Sequence, residues 1–308
     1  MTTVQAVHYT QYGDLGEVRI GSLPAPSASP GRVLVDVRAV SVNPVDLKTV
    51  AGELAPYGES EFPALVGADF AGVVKQADPG ASFSVGDEVF GSLPPFVGSF
   101  AETISADPAT LAAKPTVLSW AEAASIPTAG VTALTALATI DVKAGDVVIV
   151  NGVSGGVGAF AAALLIQRGA VVIGTLSPSK ITGAAGFTEV GHGPGVSDRV
   201  REALQGLPAA ALVDTHGGTE VGGLVTLLAD RTNAVSVAHG LVGDAAGGTN
   251  HTTAPSSAAL AELAALAAAG AIRVPLSETR PIREVKAAYE DLLAGRVRGK
   301  LVLDARAW

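Results

Sequence analysis

Apolar and polar positions change rhythm part-way along this chain. Up to about residue 120, short apolar runs recur at Val4 to His8, Val33 to Val37, Phe70 to Val74 and Glu88 to Phe90. Turn-rich clusters, Pro24 to Gly31 and Asp78 to Ser82, lie between them. Short strands parted by turns predict a mostly antiparallel, barrel-like β domain. Ser119 with Glu122 has capping-box spacing, so a helix is expected to start there, and Pro127 to kink or end it. Beyond that point helical and apolar runs alternate. Helical stretches are predicted at Val131 to Ala138, Val200 to Gln205 and Val221 to Leu228, and strands at Val147 to Val150, Ala211 to Val213 and Ala234 to Val237. Alternation of this kind predicts a doubly wound parallel sheet. The alanine-rich helix Ala258 to Ala269, the run Ile272 to Leu276, a helix from Ile282 to Leu293 and a strand from Lys300 to Leu303 close the chain.

The stretch NGVSGGVGAFAAALLIQRGAVVIGTLSPSK, residues 151 to 180, organises the second half. It reads as strand, glycine turn, helix and second strand, with Gly169 ending the helix, which is one βαβ unit. Ser154, Gly155, Gly156, Val157 and Gly158 form the turn and the first helical residues. Backbone there can approach a pyrophosphate, and a helix N-terminus presents unpaired N–H groups to it. Val153 stands where the GxGxxG fingerprint has its first glycine, and a tight turn in any α/β protein uses similar residues.

Composition narrows the class. The chain has 308 residues, 48% hydrophobic and 16% charged, enough to bury two cores. Its net charge of −9 would repel nucleic-acid phosphates. Cysteine is absent, which excludes disulfides, thiol nucleophiles and thiolate metal sites. No basic-plus-apolar leader and no membrane span are read, so a cytoplasmic enzyme is expected.

Further motifs are SVNPVDLKTVAG (41–52), FPALVGADFAGVV (62–74), VGDEVFG (85–91), GSFAE (98–102), AASIPTAGVTAL (123–134), LVDTHGG (212–218) and GRVRGKLVL (295–303). With the βαβ unit and in this order, they resemble the zinc-free quinone oxidoreductase branch of the medium-chain dehydrogenase/reductase superfamily. The resemblance implies a GroES-like β-barrel catalytic domain and a doubly wound Rossmann domain. The expected segments are 1–121 for the first, 122–262 for the second and 263–308 returning to the first. Zinc-dependent relatives hold their metal with Cys, His and Cys; the matching positions here are Asn43, Ala68 and Ala124, and Asp69 remains where those enzymes have an acid beside the His that does not itself bind the metal. Imidazole and thiolate ligands are missing, so no metal is expected.

The resemblance also implies a cofactor and a reaction. An NAD-selecting Rossmann enzyme usually has an acid at the end of its second strand. Leu176 occupies that position, and Thr175, Ser177 and Lys180 surround it. Ser177 and Lys180 match 2′-phosphate positions, so NADPH is expected, although Ser177 could equally cap a helix and Lys180 be a solvated surface lysine. His192, Arg199 and Arg201 are further candidates for that phosphate. Asn43, Tyr57 and Thr128 are the expected catalytic residues. Asn43, Thr128, His239 and Lys300 are also expected near the cofactor, and Asp46 to anchor local structure. His239 and His251 are candidate acids, with no proton donor assigned. The expected reaction is hydride transfer to a quinone or α,β-unsaturated carbonyl. An enoyl reductase on a polyketide-type or thioester-linked enone, or a non-catalytic NADPH-binding sensor, are the alternatives. A homodimer joined by edge strands is expected near Gly240 to Ala246 and Ile272 to Leu276.

Overall fold

Strands two to nine residues long, read in chain order, build the first of two compact units. That unit comprises Met1–Thr128, Pro255–Ala269 and Leu276–Trp308, and the second comprises Ala129–Ala254 with Gly270–Pro275. The architecture comes from a computed structural model that describes residues 2–27, 29–78, 80–183, 186–238, 249–251 and 256–308.

In the first unit the strands are β1 (Thr3–Tyr9), β2 (Arg19–Pro24), β3 (Val33–Ser41), β4 (Ala64–Leu65), β5 (Asp69–Ala77), β6 (Glu88–Ser92), β7 (Thr103–Ala106) and β8 (Leu111–Ala113). Two later strands, β15 (Leu276–Pro281) and β16 (Lys300–Asp304), join them. One three-stranded sheet has the order β2-β1-β4. A larger sheet runs β15-β16-β3-β5-β6-β8, with β7 also paired to β3. Pairing is antiparallel except between β15 and β16. The central strand β3 buries most of its side chains, which is why its sequence alternates so weakly. Its Val33, Val35 and Val37 pack with Phe70, Phe100, Tyr289 and Leu301 in one core. Phe100 and Tyr289 stack with ring centroids 6.5 Å apart.

Helix α1 (Pro44–Val50) follows β3, and periodicity alone does not reveal so short a helix. Its start is written chemically. Asn43 is extended (φ −137°, ψ 151°), as expected before a proline, Pro44 opens the helix, and the Asp46 carboxylate caps the Asn43 N–H. The strands β2, β7 and β8 also lack a strong apolar run. The expected helix start at Ser119 holds, with α2 spanning Trp120–Ser125. Pro127 ends it by opening a new helix, α3 (Pro127–Leu137).

The second unit alternates strand and helix: β9 (Val147–Asn151), α4 (Gly156–Gln167), β10 (Val171–Leu176), β11 (Thr188–Gly191), α5 (Val196–Ala203), β12 (Ala211–Asp214), α6 (Val221–Val225), β13 (Ala234–Ser236) and β14 (Thr249–Asn250). All pairs are parallel, in the order β11-β10-β9-β12-β13-β14. That order reverses direction between β9 and β12, the crevice where doubly wound sheets bind ligands at the strands' carboxyl ends. Helix α5 begins four residues before the expected Val200. The expected dimer edge at 240 to 246 lies outside the described residues. No described helix is long and apolar enough to cross a membrane.

Val153, the departure from the glycine fingerprint, has a packing partner. It is buried, and a Cβ on Gly174 of β10 would lie 2.5 Å from Val153 Cγ1. The missing side chain has moved from position 153 to position 174. Val153→Ala is expected to cost about 2 kcal/mol through lost contacts. Gly174→Ala is expected to cost about 1–3 kcal/mol through overpacking. The double variant should cost less than the sum of the singles. Urea unfolding of the three variants checks this; strict additivity contradicts the pairing.

Candidate functional site

The glycine turn in the second unit has the geometry of an anion cradle. Gly152 has φ +83°, and a Cβ there would press on Thr215 Oγ1 at 2.8 Å and on His216 Cβ at 2.9 Å. A Cβ on Gly158 would lie 2.3 Å from the Gly152 carbonyl oxygen. Both positions therefore require glycine. Gly155 is the N-cap of α4 and offers no side chain, so no side chain accepts from the first N–H groups of the helix. Gly156 and Val157 are only half-buried beside it, as is Ser154. Exposed backbone donors at the end of a helix dipole fit the pyrophosphate of a dinucleotide.

Beneath that cradle lies a buried polar floor. Asn151, Thr175, Asp214 and Ser236 lie at or next to the carboxyl ends of β9, β10, β12 and β13, and all four are buried. Asn151 Nδ2 donates to Asp214 Oδ1 at 2.8 Å, and Thr175 Oγ1 donates to Asn151 Oδ1 at 2.6 Å. Ser236 Oγ donates to Asp214 Oδ2 at 2.7 Å, while the Gly217 N–H donates to Oδ1 at 2.9 Å. These bonds tie the ends of four strands to one another. Thr175, expected at the cofactor, belongs to this floor, with its hydroxyl engaged inward. The motif LVDTHGG carried the clue to Asp214, but periodicity could not say what the acid holds.

At the edge of the same unit, Leu176 is buried and Ser177 follows it half-exposed. His192 Nε2 lies 3.3 Å from Ser177 Oγ, and its ring centroid is 5.4 Å from that of His216. Lys180 closes the turn after Ser177. Ser177, Lys180 and His192 thus gather where two adjacent strands end. Arg199 is engaged elsewhere, since its guanidinium donates to the carbonyls of Gly191, Gly193 and Pro194 and shapes that loop. Arg201 pairs with Asp198. His251 lies 2.8 Å from Thr135 Oγ1, and burial lowers its pKa, which favours a neutral ring. His239 lies outside the described residues.

The first unit concentrates its polar side chains on Asp69, which is fully buried at the start of β5. Thr128 donates to Asp69 Oδ1 twice, from its N–H at 3.0 Å and its hydroxyl at 2.6 Å. Asn43 Nδ2 donates to Asp69 Oδ2 at 2.9 Å, and the Lys300 ammonium stands 3.9 Å from the same oxygen. Lys300 Nζ also donates to Asn43 Oδ1 and to the Val42 carbonyl. Asp46 Oδ2 accepts from the Asn43 N–H at 2.7 Å and from the Tyr289 hydroxyl at 2.9 Å. Asn43, Thr128 and Lys300 are thus brought together, but their polar atoms are spent on Asp69 and on each other. Tyr57 is not among them; it is 85% exposed on a short turn. Tyr289, which no local motif marks, is.

Burial dominates the electrostatics here. It raises Asp46 to about 7, with Asp69 nearby adding to the rise and the Asn43 N–H, Tyr289 and Lys300 opposing it. Burial likewise raises Asp69 against the pull of Lys300, Thr128 and Asn43, and lowers Lys300 against the pull of both acids. Tyr289 is pushed well above its usual value, first by burial and then by the Asp46 charge.

Two family profiles match the chain: Alcohol dehydrogenase GroES-like domain over residues 29–116 and Zinc-binding dehydrogenase over residues 186–303. The quinone oxidoreductase from Coxiella burnetii is 30% identical, superposes with a TM-score of 0.87, and the match covers 98% of this chain and 99% of that one. The chain belongs to the medium-chain dehydrogenase/reductase superfamily. Within it, the similarity to quinone oxidoreductases agrees with the motifs. Mycobacterial Rv1454c complexed with NADPH is 26% identical with a TM-score of 0.83, over 98% of this chain and 99% of that one. The 2-methylene-furan-3-one reductase of Solanum lycopersicum is 32% identical over 67% of this chain, and the chain spans about half (54%) of that relative's length.

The superfamily's zinc does not fit these side chains. Ala68 and Ala124 offer methyl groups, and the Asn43 amide already holds an ammonium. Among the described residues, no group of three or more His, Cys, Asp or Glu could hold a metal ion. A cation is nevertheless built in, because Lys300 balances Asp69. Lys300→Met should strand that carboxylate and lower stability by about 3–5 kcal/mol. Adding Asp69→Asn to it should recover most of the loss. Thermal unfolding of the two variants decides; equal destabilisation in both would contradict the pairing.

Proposed function

We propose that the chain is an NADPH-dependent reductase that transfers hydride to a quinone or to the β-carbon of an α,β-unsaturated carbonyl. The observation that carries this reading is the phosphate cradle followed by Leu176, Ser177 and Lys180, where an NAD-selecting acid would stand. An acid there would repel a 2′-phosphate; a lysine and a hydroxyl attract one. His192, bound to Ser177, adds a third group to the same face. The likeness to a quinone oxidoreductase and to an NADPH-complexed protein supports the acceptor and the cofactor.

When bound, NADPH supplies the hydride. The chain's own residues do the binding. The first N–H groups of α4 hold the pyrophosphate, and Ser177, Lys180 and His192 hold the 2′-phosphate. Asn151, Asp214 and Thr175 fix the turns that aim these donors. A small-molecule substrate and a cytoplasmic homodimer go with this reading.

A panel of 1,4-quinones, alkyl enones and enoyl thioesters, assayed with NADPH and NADH, tests it through kcat/KM. NADPH should be preferred, with quinones or enones ahead of thioesters. Lys180→Ala should weaken NADPH binding about tenfold, the loss of one charge-assisted contact, and leave NADH unaffected. Equal use of the two cofactors, or an unchanged NADPH affinity in the variant, contradicts the cofactor assignment. Leading activity on enoyl thioesters contradicts the acceptor class.

A further inference from the structure

Hydride addition to an enone or quinone leaves an anion that must take up a proton. Among the described residues of the first unit, the buried acid Asp46 borders open space. A small cavity, with about 20 Å³ open to the centres of water molecules, is lined by Tyr9, Val45, Asp46, Thr49, Leu65 and Phe96, among others. Its walls are mostly apolar, and a space of that size holds about one water. Asp46 is 3% exposed, and both hydrogen bonds found for its carboxyl among the described residues arrive at Oδ2. Oδ1 receives neither, which leaves that oxygen for a proton.

The neighbouring groups determine which acid keeps the proton. Two carboxylates, Asp46 and Asp69, share one buried ammonium, Lys300. Like charges so placed do not both ionise readily. Asp69 has three donor contacts from Thr128 and Asn43 as well as the ammonium, so its carboxylate is the better stabilised of the two. Asp46 has two donors and is the acid that more readily takes up a proton. Tyr289 faces it from the helix Val285–Leu293, and Tyr9, which also borders the cavity, is bound to Ser60 Oγ at 2.6 Å.

We propose that Asp46 is the proton reservoir of the reaction, feeding the reduced substrate through water in this cavity. The proposal rests on the reductase reading above. Hydride adds to the β-carbon with its two electrons, the C=C pair shifts to the bond between the α-carbon and the carbonyl carbon, and the C=O pair moves onto oxygen. The cavity water gives a proton to the α-carbon, or to a quinol oxygen, as it takes the proton of Asp46. The O–H bond of Asp46 breaks, and its carboxylate is held by the Asn43 N–H and the Tyr289 hydroxyl, with the Lys300 charge favouring it from a distance. Solvent returns the proton after product leaves. Asp46 thus acts through water, positioned by α1 and Tyr289.

The test combines kinetics with a readout independent of turnover. In the wild type, kcat for an enone with NADPH should fall as pH rises through about 7, the range in which Asp46 loses its proton. Asp46→Asn should lower kcat about a hundredfold, remove that alkaline limb and leave the NADPH Kd unchanged. Tyr289→Phe removes a donor that stabilises the Asp46 carboxylate, so the limb should move to higher pH. Infrared difference spectra should show a protonated carboxyl band at about pH 6 that is lost at about pH 9, two units either side of the expected midpoint at most, and absent in Asp46→Asn. Wild-type turnover with the same pH profile in Asp46→Asn overturns the proposal while leaving the reductase reading intact. If Asp46→Asn does not fold, an unmoved limb in Tyr289→Phe overturns it. If none of the acceptors supports NADPH oxidation by the wild type, the reductase reading fails, and the infrared band alone decides whether Asp46 holds a proton.

Discussion

The first unit depends on a charge balance struck among buried groups. Asp46, Asp69 and Lys300 are all buried, and removing charged groups from solvent is costly unless they are paired and hydrogen-bonded. The chain meets that cost by convergence. The Asn43 amide accepts from Lys300 and donates to Asp69, so one side chain orients both charges. Thr128 closes the other Asp69 oxygen, and Tyr289 reaches Asp46 from a helix far along the chain. The position matching a zinc-ligand cysteine is therefore an amide bound to an ammonium. That arrangement keeps both acids buried where Asn43, Ala68 and Ala124 stand at the positions of the relatives' zinc ligands.

The second unit solves a different problem with the same economy of parts. Parallel strands end at one face, and their loops must be held still for a phosphate to be bound by backbone N–H groups. Asp214 does this by accepting from Asn151, Ser236 and two turn N–H groups, including that of Gly217. Glycine at 152 and 158 then lets the turn and helix approach without a side chain between them. In the proposed reading, cofactor selectivity is a separate layer, carried by Ser177, Lys180 and His192 after β10 and β11 rather than by the buried floor.

Much of this was legible in the sequence for a physical reason. Strand runs, turn residues and capping boxes act locally, so the rhythm of apolar positions revealed both kinds of sheet and the βαβ unit. Pro127 and the Ser119–Glu122 pair fixed their helix ends by the chemistry of their own neighbours. The site was legible only in part. Asn43, Thr128 and Lys300 were marked by motifs, but their meeting point was not, because the bonds span 26, 59 and 257 residues. Tyr289 and Tyr9 carried no local mark, whereas Tyr57, which did, stands in solvent. The exchange between Val153 and Gly174 was likewise invisible until two strands were side by side.

A chain that moves hydride from a nicotinamide cofactor to a conjugated carbonyl must leave that hydride at one carbon of the product. The most direct measurement follows it there. NADPH carrying deuterium at the transferred C4 position would be incubated with the enzyme and an alkyl enone, and the product analysed by NMR. One deuterium at the β-carbon, and none at the α-carbon, is the predicted result. A saturated product without deuterium from the cofactor, or deuterium at the carbonyl carbon of an allylic alcohol, would contradict it.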